Sequence, residues 1–111
     1  MADQDDGQDG DDAALVDLFA ALSNGDRLRI VRTLGESRGA SVRGMSITEI
    51  AREVGITRFG ASRHLAVLRD AGIVCTRSEG NRAMSSLVAG TLLPIWDWID
   101  EIEPLPALVS A

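Results

Sequence analysis

The sequence predicts a mainly α-helical domain that carries one small antiparallel β hairpin. Three observations lead there. Apolar residues recur at three-to-four spacing in five separate stretches, which is the period of a helix with one buried face. Ser46 and Glu49 have the S-x-x-E spacing of a capping box, and Gly55 follows where a sharp turn would begin a second helix. Near residue 80, Ser78-Glu79-Gly80-Asn81 separates two strand-like runs, and Gly and Asn are the residues a hairpin turn requires. A chain of 111 residues has room for one such domain and one core.

Taken in order, residues 1–12 (MADQDDGQDGDD) have almost no apolar content, and composition predicts a disordered acidic tail. From Ala13 the pattern becomes helical, with Leu15, Leu18, Phe19 and Leu22 on one face, and Ser23-Asn24 ends it. Asn24 is placed to cap the next helix, with Asp26 in its first turn. There Leu28, Val31 and Leu34 form the expected buried stripe with Ile30 beside it, and Gly35 closes the helix. Residues 35–44 (GESRGASVRG) read as a surface loop in which Arg38 and Arg43 are cationic, and Met45 to Ile47 as a short strand.

The stretch Ser46 to Gly72 is the centre of the chain. Ile50 and Val54 share a face of its first helix, Gly55 makes the turn, and Thr57 caps a second helix running to about Asp70. In that helix Ala61, Leu65 and Leu68 form the apolar stripe. Arg58, Ser62, Arg63, His64 and Arg69 lie mostly off it, and Gly72 stops the helix. Ile73–Arg77 and Arg82–Val88 are the two hairpin strands. Thr91 and Pro94 then mark a last helix start, with Leu92, Trp96, Ile99 and Glu103 on one line, Ile95 and Ile102 adjacent, and Trp98 away from it. Pro104 and Pro106 end that helix, so residues 13–103 form the domain and 104–111 a loose tail.

Net charge is −6, which at first argues against a nucleic-acid partner. Its distribution reverses that impression. Residues 1–25 hold seven Asp and no base, and residues 83–111 four acids and no base, whereas residues 26–82 hold all eleven Arg against six acids. Positive charge gathered over the helix pair and the hairpin is the footprint of a DNA-binding face. No apolar run is long enough to span a bilayer, and the start lacks a signal-peptide pattern, so a cytoplasmic protein is expected. One cysteine, Cys75, excludes a disulfide framework, and no catalytic constellation is present, so an enzyme is not expected.

GITRFGASRHLAVLRDAGIV, with NGDRLRIVRTL before it and RSEGNR after it, resembles the winged helix-turn-helix regulators of the ArsR/SmtB type over roughly residues 14–103. The resemblance implies a dimeric winged helix-turn-helix that binds double-stranded DNA at an inverted-repeat operator, acting as a homodimeric repressor released by an unknown effector. It places the dimer interface on the terminal helices, at Leu15, Leu18, Phe19 and Leu22 and at Leu92, Ile95, Trp96 and Ile99. Thr57, Arg58, Phe59, Gly60, Ser62, Arg63 and His64 become the candidate DNA-facing residues of the recognition helix, and Arg77 and Arg82 those of the wing.

Two positions depart from the family's pattern. Phe59 is apolar where polar residues are usual, and it either meets a thymine methyl or folds back onto the core; Gly60 sits inside a helix. His64 reads as structural or phosphate-directed rather than as a base reader. The family's metal sensors carry paired cysteines at the start of the motif's first helix, or His with carboxylates on the last helix. Here Met45–Ile50 has no thiol, and Asp97, Asp100, Glu101 and Glu103 have no histidine among them, so no metal or other cofactor is expected. Cys75 is expected to be packed, with a redox-responsive role as an alternative. A winged-helix protein-interaction module, its acidic surface binding a basic partner, is the competing reading.

Overall fold

The computed structural model describes residues 2–38 and 44–103, with side chains in the first helix from Asp12 onward. Arg43 and the C-terminal residues 104–111 lie outside the described residues. Five helices and three strands follow one another as α1 (Ala2–Leu22), α2 (Gly25–Ser37), β1 (Met45–Ser46), α3 (Ile47–Val54), α4 (Arg58–Asp70), β2 (Val74–Glu79), β3 (Arg82–Leu87) and α5 (Leu93–Ile102). The helical backbone of α1 extends back to Ala2, so the boundary expected at Ala13 coincides with no break in the helix. Acidic residues in a helix's opening turns lie at the positive end of its dipole.

Local chemistry sets most of the boundaries. Asn24 caps α2, its side chain accepting the Arg27 N–H at 3.0 Å. Ser46 and Glu49 close a full capping box at α3: the Glu49 N–H donates to Ser46 Oγ at 3.2 Å and the Ser46 N–H to Glu49 Oε1 at 2.9 Å. Gly55 takes the left-handed conformation, φ +80°, that ends α3. Thr57 caps α4 by accepting the Gly60 N–H at 3.0 Å.

Four sequence expectations are corrected. Helix α2 passes through Gly35 and ends at Ser37, because one glycine in a helical register costs only about 1 kcal/mol. Its buried stripe is Ile30 and Leu34 with Val31 beside them, and Leu28 is 46% exposed. Thr91 does not cap α5; its hydroxyl donates instead to the Gly72 carbonyl at 2.9 Å, tying the start of α5 to the end of α4. The hairpin strands meet closer to the turn than expected, with Glu79 paired to Arg82 across Gly80-Asn81.

The sheet is antiparallel in the order β1-β3-β2, so the short strand before α3 adds a third member to the hairpin. Met45 pairs with Ser85 and Ser46 with Met84. Gly44 makes this pairing possible. It sits at φ +88°, and a Cβ there would run into the Ser85 carbonyl oxygen. Ile30, Ile50, Leu68, Ile73 and Val74, drawn from α2, α3, α4 and the start of β2, are almost wholly buried and form the centre of the core. Leu18 and Ala21 of α1 close it on one side, and Leu92, just before α5, and Ile95 within it pack against its edge.

Candidate nucleic-acid interface

Burying Ala61, Leu65 and Leu68 turns the other face of α4 to solvent. At ~100° per residue, Phe59 and Arg63 each lie two residues from Ala61, on the side away from the core. Phe59 is 73% exposed, which settles the question left open by the sequence: it does not fold back. Arg63 stacks on it, the guanidinium carbon 5.8 Å from the ring centroid. Arg58 and Ser62 are also exposed, and among the described residues no ion pair engages Arg58 or Arg63. Thr57 is exposed too, its hydroxyl spent on the cap. Gly60 fits under that cap closely, since a Cβ would stand 3.2 Å from Thr57 Oγ1.

His64 differs from its neighbours. Its side chain is 21% exposed, its Nδ1 lies 3.3 Å from Arg27 Nη1, and its Nε2 lies 3.6 Å from Asp26 Oδ2. Because a guanidinium only donates, Nδ1 is the acceptor in that contact. Arg27 also donates from Nε to the Ala21 carbonyl at 2.6 Å and from Nη2 to the Ala20 carbonyl at 3.5 Å. One arginine thus satisfies the end of α1 and holds His64 of α4. Composition alone gave no reason to single out Arg27.

The wing arginines are engaged locally. Arg77 Nη2 is 3.8 Å from Glu79 Oε2, and Arg82 Nη2 is 3.6 Å from Glu49 Oε1. Glu49 thereby serves both the α3 cap and the wing. Hydrogen bonds from the Ser46 backbone and hydroxyl, then the nearby Arg82 and Arg52 charges, hold its carboxyl below the usual range against a small opposing cost of burial. Arg69, at the last turn of α4, donates to Thr76 Oγ1 at 3.4 Å and braces that helix against β2. Cys75 is exposed on the outer side of β2, its Sγ 3.5 Å from Ser86 Oγ, where the sequence had suggested a packed thiol. From Cys75 to Ser78 every residue of β2 is exposed, and Val74 alone of the strand enters the core. Among the described residues no three His, Cys, Asp or Glu side chains gather at metal-binding distance.

The terminal helices divide the residues assigned to the dimer interface. Leu18 is 6% exposed and belongs to the protomer's own core, while Leu15, Leu22, Leu92 and Ile95 are half-buried. Phe19, Trp96 and Ile99 remain 37%, 58% and 42% exposed. Trp98, which the helical line had set aside, packs edge-to-face on Phe19 with centroids 5.3 Å apart and joins α5 to α1.

Comparison with known proteins agrees with the fold. Residues 22–77 match a family described as a helix-turn-helix domain. The uncharacterized HTH-type transcriptional regulator YceK of Bacillus subtilis is 35% identical over 77 residues, which cover 69% of this chain and 73% of that protein. The HTH-type transcriptional regulator Rv2034 of Mycobacterium tuberculosis is 34% identical over 69 residues, 62% of this chain and 59% of that protein. Among solved structures, Mb0332 of Mycobacterium bovis is similar with a TM-score of 0.70 and 26% identity, covering 93% of this chain and 92% of that one. That structure is described as a homodimeric winged helix-turn-helix DNA-binding domain of a possible ArsR-family transcriptional regulator.

Proposed function

Because the chain belongs to the ArsR-type winged helix-turn-helix transcriptional regulators, DNA-binding proteins rather than enzymes, we propose that it acts in the cytoplasm as a homodimeric repressor of an inverted-repeat operator. The observation that carries this reading is the first half of α4. Its Thr57 cap fixes the helix start, its core stripe fixes the rotation, and Arg58, Ser62 and Arg63 stand exposed where a recognition helix reaches base edges. Arg77 and Arg82 supply wing charges for the backbone, and phosphates would compete with Glu79 and Glu49 for them. His64 is a positioning residue in this scheme, since its ring is held by α2. The effector is not a metal in this proposal, because no thiol pair stands at the start of α3 and no histidine on α5.

Binding competition between duplexes differing at single base pairs tests the assignment. Arg63→Ala should cost about 1–3 kcal/mol on the preferred site and relax preference at one base pair. Arg82→Ala should weaken all duplexes alike and make the salt slope shallower by about one unit. Uniform loss in both variants would count against α4 as the sequence reader. Operator affinity that responds to stoichiometric Zn(II) or arsenite would overturn the non-metal effector.

A further inference from the structure

An apolar ring held in water at the DNA-facing end of α4 needs a use. Phe59 is 73% exposed, it lies on the helix face opposite Ala61, and Arg63 one turn later is stacked on it. We propose that Phe59 and Arg63 read a thymine and a guanine in adjacent base pairs as one unit, the ring against the thymine C5-methyl and the guanidinium on guanine. The inference rests on the reading of α4 as a recognition helix and deepens it.

The chemistry follows from what the major groove displays. Guanine offers N7 and O6, a pair of acceptors that an arginine fork meets bidentately, and thymine alone of the four bases offers a methyl group. A cation within ~6 Å of a ring centroid is attracted to its face, so the Phe59 ring restrains Arg63 before DNA arrives. That restraint lowers the rotamer entropy lost on binding. Gly60, next along the chain, presents no side chain between helix and groove. Nothing else in the first turn is apolar and exposed, so the methyl contact falls to Phe59.

The test edits single methyl groups. A preferred duplex is first selected from random sequence with the wild-type protein, and each thymine is then replaced by deoxyuridine, which removes only the C5-methyl. At one thymine per half-site, beside the guanine that Arg63 reads, wild-type affinity should fall about fourfold, the value of one buried carbon. Phe59→Ala, whose ring contributes nothing to the core, should bind the thymine and uracil duplexes equally. A cytosine at the same position should bind weakly, and 5-methylcytosine should recover most of the loss. If wild-type protein is indifferent to every methyl deletion, or Phe59→Ala retains the penalty, the inference is overturned while sequence-specific binding stands. If no sequence is selected at all, the functional reading fails and takes this inference with it.

Discussion

Arg27 joins three helices although nothing in its immediate sequence marks it. It donates to the Ala21 and Ala20 carbonyls at the end of α1, sits on α2, and meets His64 of α4. Replacing it with alanine should destabilise the protein by about 1–3 kcal/mol, read from urea denaturation, because the part-buried Ala21 carbonyl and a ring nitrogen lose a charged donor. Lysine should recover only part of this, since it lacks the planar fork that serves several acceptors at once. Gly44 is the second such position. At φ +88°, where an added Cβ would run into the Ser85 carbonyl, Gly44→Ala should cost at least ~1–3 kcal/mol and loosen β1 from β3. The caps at Asn24, Ser46 and Thr57 were legible in the sequence because each spans three residues. The Arg27–His64 contact spans 37 residues, and only the assembled core brings its ends together.

Each helix was legible at the scale of the element wherever its apolar stripe and its cap agreed. The start of α5 was misread because Thr91 looked like a cap by position, while its hydroxyl had a better partner in the Gly72 carbonyl. The α3 cap makes a pH prediction. Glu49's carboxyl is held below its ordinary range, so the folded state favours the ionised form. That stabilisation is complete above the ordinary glutamate pKa of about 4.3 and is lost as pH falls through the lowered folded value. Thermal midpoints of wild type and Glu49→Gln should therefore differ at neutral pH and converge in acid. The difference should be small, because the Glu49 side chain is 44% exposed and its bonds to Ser46, the largest cause of the lowered value, stand close to water. A gap that widened on acidification would contradict the assignment.

At the scale of the whole molecule, Val16 and Phe19 of α1 and Leu93, Trp96, Ile99 and Ile102 of α5 are exposed apolar side chains on the two terminal helices. Self-association through them is the proposed use, and the two tryptophans separate it from ordinary packing. Trp98 is 38% exposed and fixed edge-to-face on Phe19 within one protomer, whereas Trp96 is 58% exposed. Truncating Trp98 should therefore lower protomer stability, through the lost aromatic pair and the loosened α5, by more than truncating Trp96 does. Truncating Trp96 should act chiefly on association, at the cost of about 2 kcal/mol or more that a central interface tryptophan carries. Sedimentation at micromolar concentration should give twice the chain mass for wild type, and a shift toward monomer for Trp96→Ala. Unfolding supplies the cross-check, since a dimer's thermal midpoint rises with protein concentration and a monomer's does not. Wild type should show that rise and Trp96→Ala a weaker one. A wild-type chain that sediments as a monomer with a concentration-independent midpoint would remove the dimer, and with it the expectation that the operator is an inverted repeat.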